Sequence, residues 1–267
     1  MAARLMPTLL VLARSLLYQA LFVVWTAVLG VAYLPLLLGP RRLAQRGARF
    51  WLAGARRMQR AVLGLRWELR GGANLPAGPA VIAAKHQSAW DTMVFHALLD
   101  DPAFVLKREL LALPLVGWYL RKTGQIAIDR REGVRALRYM AERARAALAE
   151  GRQVVIFPEG HRQPPGVAGD YHPGVAVLYG AADAPVVPVA VNSGMFWRRN
   201  ALMRYPGTVV IEFLPAMPSG MERRAFMDEL ERRIEGATRA LEAEASRRHP
   251  YLPGVDKSVD KGEAASR

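Results

Sequence analysis

Residues 80–98 read Ala80-Val-Ile-Ala-Ala-Lys-His-Gln-Ser-Ala-Trp-Asp-Thr-Met-Val-Phe-His-Ala-Leu98, and the change of period inside this stretch decides the fold. Ala80–Ala84 is a short apolar run, the pattern of a strand covered on both faces. Trp90, Val94 and Leu98 then recur at four-residue steps, as on one side of a helix. His86 falls between the two, at a strand-to-helix mouth rather than on a packed face. The same alternation continues downstream. Phe104–Lys107, Ile126–Ile128, Val154–Phe157, Val186–Val191 and Thr208–Phe213 read as further strands. Leu113–Leu120 reads as a short apolar helix, and Val134, Leu137, Ala141, Ala144 and Leu148 form a helical face that stops at Gly151. A last helix opens at Ser219-Gly-Met-Glu222, a capping-box sequence, with Phe226, Leu230, Ile234, Ala237 and Leu241 on one stripe. Strands alternating with helices predict an α/β sandwich, its largely parallel or mixed central sheet flanked by helices.

The first quarter of the chain has another character. Residues 1–70 hold eleven Arg against one acid, Glu68, and so carry +10 of the net +14. So lopsided a charge calls for an anionic partner, either nucleic acid or a membrane surface. Between Ser15 and Pro40 no residue is charged, which is longer than the roughly 20 residues a helix needs to cross a hydrocarbon core. A secretory signal would have a shorter apolar region, about 7–15 residues, and a small-residue cleavage site that is not found here. Leu43, Phe50 or Trp51, Gly54, Met58, Ala61 or Val62 and Leu65 then recur at three- and four-residue steps. Arg42, Arg46, Arg49, Arg56, Arg57 and Arg60 fill the rest of the circumference. This is the pattern of a basic amphipathic helix in a headgroup layer, although a solvated helix face packed on the body gives the same spacing. The expectation is a membrane and no nucleic acid. The positive-inside rule places residues 41–60 in the cytoplasm. Arg4 and Arg14 oppose export of the N-terminus, and Pro35 and Gly39-Pro40 can turn the chain back. A two-helix hairpin dipping into one leaflet satisfies both basic flanks. The expected organisation is an anchor over 1–65, a catalytic body over 66–251 and a frayed polar tail over 252–267. The absence of Cys excludes disulfides and thiolate metal sites.

Several residue groups carry chemistry. Neutral imidazole is the side chain best suited to act as a base near neutral pH, and a carboxylate on its second nitrogen fixes the tautomer. His86 and Asp91 have the spacing for this, but Ser88-x-x-Asp91 is also a capping box, which gives Asp91 an innocent role. Downstream lie Gly124-Gln-Ile-Ala-Ile-Asp129-Arg130, then Phe157-Pro-Glu159-Gly160-His161-Arg162, then Val186-Val-Pro188-Val-Ala-Val191. Taken with the His86–Asp91 stretch, in this order, these resemble the four sequence blocks of the glycerolipid acyltransferases, most closely the 1-acylglycerol-3-phosphate acyltransferases. The resemblance covers roughly residues 66–215.

The resemblance implies acyl transfer from a thioester to a lysolipid hydroxyl, with His86 as base and Asp91 as its support. It gives the Arg130 and Arg162 zone to the glycerol phosphate of the acceptor, and a guanidinium fork suits a phosphate. Both arginines have an alternative in pairing with Asp129 and Glu159. Glu159 and Gly160 are expected to shape this loop, Glu159 aligning an Arg or an acceptor hydroxyl. Lys107 either adds positive charge near the donor or phosphate, or is solvated. Two positions depart from the family pattern: Lys85 stands where Asn is usual and His161 where Thr is usual. Both are expected to flank the phosphate and so to bear on acceptor identity. His161, His172, Asp170 and Glu159 fit no standard metal spacing, and no metal or cofactor is expected. The co-substrate is an acyl-acyl carrier protein or acyl-coenzyme A, and the implied place is the cytoplasmic face of a bacterial inner membrane, among its phospholipids. A lyso-ornithine acceptor and an inactive membrane-binding scaffold are the rival readings. A serine hydrolase is a poor fit, because there is no Gly-x-Ser-x-Gly elbow.

Overall fold

Every side chain of Ala80–Ala84 is buried, as a strand covered on both faces requires. It lies at the centre of a seven-stranded sheet in a computed structural model that describes residues 2–254. In chain order the strands are β1 (Leu65–Arg70), β2 (Ala80–Ala84), β3 (Ala103–Lys107), β4 (Ile126–Ile128), β5 (Gln153–Ile156), β6 (Val186–Val191) and β7 (Gly207–Phe213). Across the sheet the order is β1-β7-β6-β2-β5-β3-β4. All neighbours are parallel except β7 against β6, so β1 and β7 form a reversed pair at one edge. The helices are α1 (Ala2–Ala32), α2 (Arg41–Met58), α3 (Ala89–Leu98), α4 (Val116–Lys122), α5 (Val134–Ala149), α6 (Gly174–Ala181), α7 (Ser193–Phe196) and α8 (Arg223–Arg248).

Side chains of β2 alternate between two cores. Val81 and Ala83 face α5, α6 and α8, among Met140, Ala144, Val175, Leu178, Phe226 and Ile234. Ile82 and Ala84 face α3 and the N-terminal helix, among Tyr18, Trp90, Phe95 and Phe196. The sheet is thus covered on both sides, and its five parallel strands carry their C-terminal ends to one edge.

The structure departs from the sequence reading in four places. First, Leu65–Arg70 is a strand, not the end of the basic helix. Gly64, at φ 69°, breaks the helix in the left-handed region that glycine adopts freely, and Leu65-Arg-Trp-Glu-Leu-Arg70 then alternates with period two. Second, α2 is rotated from its expected stripe: Ala44, Gln45, Leu52 and Ala55 are buried while Leu43 and Phe50 are exposed. Third, Glu222 rather than Ser219 caps α8, its carboxylate accepting from Arg224 N at 2.8 Å and Ala225 N at 3.2 Å. Fourth, α6 and α7 were not expected, being short and, in α6, diluted by two glycines. Arg4's side chain and the tail from Val255 onward lie outside the described residues.

α1 and α2 form a hairpin joined through a 3₁₀ turn at Leu34–Leu37. Within α1, Thr8–Ala32 has a mean hydropathy of 1.8 and is only 11% buried, so it is no core helix of a soluble body. It is long enough to cross a membrane. Trp25 Nε1 donates to the Trp51 carbonyl at 2.9 Å, and Trp51 Nε1 to Thr26 Oγ1 at 3.0 Å. A Cβ at Gly54 would sit 2.3 Å from the Trp25 ring, so this close approach needs glycine. One side of α1 docks on the body. Arg204 N donates to Ser15 Oγ at 2.9 Å, Tyr18 is fully buried in the core, and Tyr119 Oη donates to the Gly30 carbonyl at 2.8 Å. The basic face of α2 is partly neutralised, Arg41 by Asp101 and Glu150 and Arg49 by Asp100. Arg42, Arg46, Arg57 and Arg60 are exposed and make no ion pair among the described residues.

Candidate active site

The β2–β5 register pairs Ala83 with Ile156, and the same offset sets His86 opposite Glu159 just beyond both strands. His86 N donates to Glu159 Oε2 at 3.1 Å. The His86 ring stacks on Phe157 with centroids 4.0 Å apart. Its Nδ1 meets Asp91 Oδ2 at 3.0 Å; the Asp91 side chain is wholly buried and that of His86 is 14% exposed. Asp91 Oδ2 also accepts from Gln87 N at 2.7 Å and Ser88 N at 2.8 Å. Oδ1 accepts from Ser193 Oγ at 2.5 Å. The two readings of Asp91 are therefore not alternatives, because one carboxylate oxygen closes the capping box and holds the imidazole. Nδ1 is committed to this contact, which leaves Nε2 as the nitrogen for a reacting group.

His86 lines a cavity of about 900 Å³ at the C-terminal edge of the parallel strands, where open α/β sheets gather their sites. Lys107, Arg130, Arg162 and Arg199 also line it, together with His161 and His172. Much of the remaining wall is apolar, including Phe104, Leu106, Ile128, Leu137 and Met140. Among the described residues no Asp or Glu contributes to the wall. The acids nearest the arginines in sequence are taken elsewhere. Asp129 pairs with Arg131 at 2.9 Å, and Glu159 with Lys85 at 2.7 Å. The Arg162 guanidinium has no hydrogen bond or ion pair among the described residues, and its carbonyl accepts from Arg199 Nη1 at 3.3 Å. Arg130 Nη2 donates to the Gly160 carbonyl at 2.9 Å. Gly160 has φ 67°, and a Cβ there would fall 2.6 Å from Arg130 Nη1 and 2.8 Å from His172 Cδ2. Its part is to let Arg130 lie against the loop. Lys107 is exposed at the end of β3.

Two expectations need correction. Glu159 does not reach an arginine or an acceptor: its side chain is fully buried and faces away from the cavity, drawn inward by Lys85. Lys85 does not flank the phosphate zone either. Its Nζ, 1% exposed, lies between Glu159 Oε1 at 2.7 Å and Glu235 Oε1 at 2.8 Å, and donates to the Val167 carbonyl at 2.9 Å. Beside it, Glu242 accepts from Gln87 Nε2 at 2.6 Å and from Gly166 N at 3.1 Å. Burial pushes the carboxyls of Glu159 and Glu242 up, with Lys85 pulling Glu159 down and the Gln87 bond lowering Glu242. Ser193, Arg199, Glu235 and Glu242 were not singled out from sequence. The seven-residue step between Glu235 and Glu242 aligns these two acids with each other, but on a side of α8 away from the Phe226, Leu230 and Ile234 stripe, so nothing in the sequence marked them as buried. Ser193 had only its place just beyond β6.

An acyltransferase family model matches residues 66–192, the span from β1 to just past β6. The 1-acyl-sn-glycerol-3-phosphate acyltransferase of Pseudomonas aeruginosa is 39% identical over 196 residues, which is 73% of this chain and 76% of that protein. This chain belongs to the acyltransferase family. The acyltransferase is also 33% identical to the human 1-acyl-sn-glycerol-3-phosphate acyltransferase beta over 159 residues, 58% of this chain and 57% of the human one. Among solved structures, the Thermotoga maritima 1-acyl-sn-glycerophosphate (LPA) acyltransferase aligns with a TM-score of 0.65 over 84% of this chain and 97% of that one. At 23% identity that likeness is one of fold.

Proposed function

We propose that this acyltransferase moves a fatty acyl group from an acyl thioester to the free hydroxyl of 1-acylglycerol-3-phosphate, giving phosphatidic acid for phospholipid synthesis. One observation carries the reading: the His86 imidazole opens onto a cavity with four cationic side chains, no acid and a largely apolar wall. A lysophosphatidic acid has the matching parts, a phosphate and a hydrocarbon chain with a hydroxyl between them. His86 Nε2 takes the proton as the acceptor oxygen attacks the thioester carbonyl. Asp91, seated on Nδ1, stabilises the imidazolium that forms. The imidazolium then returns the proton to the departing thiolate, so no net proton stays on the protein. Such a base contributes about 10²–10⁴ in rate. Arg130 and Arg162, with Lys107 and Arg199 nearby, hold the phosphate, and the Arg162 fork is free to take two of its oxygens. The relatives named for this acceptor support the assignment.

The α1–α2 hairpin is proposed to sit in the cytoplasmic leaflet of a bacterial inner membrane, its unpaired Arg42, Arg46, Arg57 and Arg60 meeting anionic headgroups. Purified full-length protein is incubated with lysophosphatidic acid and labelled acyl-acyl carrier protein or acyl-coenzyme A. Labelled phosphatidic acid from either donor is expected. Label in lyso-ornithine lipid but not in lysophosphatidic acid would move the acceptor to the phosphate-free class, and no turnover with any acceptor would leave a scaffold.

A further inference from the structure

We propose that Lys85 is a positioning residue for His86, acting through Glu159; this rests on reading His86 as the base. The three donors of the Lys85 ammonium are all used, on Glu159 Oε1, on Glu235 and on the Val167 carbonyl. Glu159 passes the constraint on. Its Oε1 also accepts from Gly169 N at 3.0 Å, and its Oε2 receives His86 N at 3.1 Å. One cation thus ties the end of β2, the loop after β5 that carries Gly160 and Arg162, and α8. A buried ion group of this kind is weak as a source of stability, because desolvation offsets its attraction. What it supplies is geometry, and Lys85 is not part of the wall of the His86 cavity.

The groups facing the cluster are Glu159, Glu231, Glu235, Glu242, Asp170 and Tyr171, whose Oη donates to Glu235 Oε1 at 3.0 Å. Lys85 is their only cation in contact among the described residues. Without it Glu159 takes up a proton at a higher pH and loses its charge-assisted hold on His86 N.

The test uses full-length protein, assayed where each variant is folded by circular dichroism. Lys85→Met removes the link. Lys85→Met/Glu235→Gln removes one charge of each sign and leaves one unpaired buried carboxylate instead of two, so it should fold where the single variant does not. Both are expected to lose kcat by about 10- to 100-fold near pH 7, the scale of a misplaced reacting group. The KM for lysophosphatidic acid should stay within about threefold. The loss should shrink as pH rises and Glu159 regains its charge. Glu159→Gln, which leaves Lys85 and α8 in place, should lose kcat by a similar factor. Wild-type kcat across the pH range in the charge-balanced variant or in Glu159→Gln overturns the proposal, as does a rise in KM with kcat unchanged. His86→Ala is the control. If it is fully active the reading of the site fails; if it is inactive while the Lys85 variants are normal, only the role of Lys85 fails.

Discussion

Asn at position 91 separates the two duties that Asp91 Oδ2 combines. An Asn carbonyl still accepts from Gln87 N and Ser88 N, and its amide can donate to Ser193 Oγ, so the α3 cap survives. A neutral amide does not stabilise an imidazolium. Asp91→Asn should therefore melt within a few degrees of wild type yet lose kcat by about 10⁴, the cost of the same change in a serine protease triad. His86→Ala should reach a similar floor, and the double variant should be no worse than either single one. A folded Asp91→Asn protein with near-normal turnover would leave Asp91 a cap. At Arg162 the unpartnered guanidinium gives a second expectation. Arg162→Ala should raise the KM for lysophosphatidic acid about ten- to a hundredfold, the worth of a charged hydrogen bond. Arg162→Lys should recover only part of it, and unchanged KM in both would point to an acceptor without phosphate. His86, Asp91, Arg130 and Arg162 were legible in the sequence because short spacing and block order locate them. The partners of Lys85 were not: Glu159 and Glu235 lie 74 and 150 residues away, and only the packed fold brings them together.

Strands buried on both faces announced themselves as unbroken apolar runs, which is why β2, β5 and β6 were readable to within a residue. β1, only partly buried and short, merged with the helical period of α2, although a glycine precedes it. The hairpin elements were legible by length and charge, but their docking was not, since it depends on which small residues face Trp25 and on a serine accepting from Arg204. That docking changes what truncation should do. Deleting residues 1–40 removes Tyr18 from the core and uncovers Trp197, whose ring it meets edge-on. The expected product is an aggregated or poorly folded body, detected by size exclusion and circular dichroism. A soluble, folded and fully active fragment would show α1 to be a detachable tether.

Over the whole molecule, acid stability sets buried groups of opposite sense against one another. Burial lowers the His96 pKa to about 4, with Asp101 pulling weakly the other way, and its Nδ1 has no hydrogen-bond partner. The folded state keeps this imidazole neutral while the unfolded chain protonates it near its usual 6.5. The stability it contributes is full above that value and is lost as pH falls from 6.5 toward 4, on the order of 2 kcal/mol by pH 5. His96→Leu should accordingly lose several degrees less in Tm than wild type between pH 7.5 and 5. Equal losses would mean that His96 is protonated in the folded state. The docked hairpin has a further consequence. Trp51 of α2 lines the same cavity as His86, so the proposed leaflet anchor is also a wall of the reaction chamber. Bulk concentration then ceases to be the variable that counts. The acceptor is drawn from a two-dimensional solution, and turnover should follow its mole fraction in the surface, falling when inert lipid dilutes that surface at constant total acceptor.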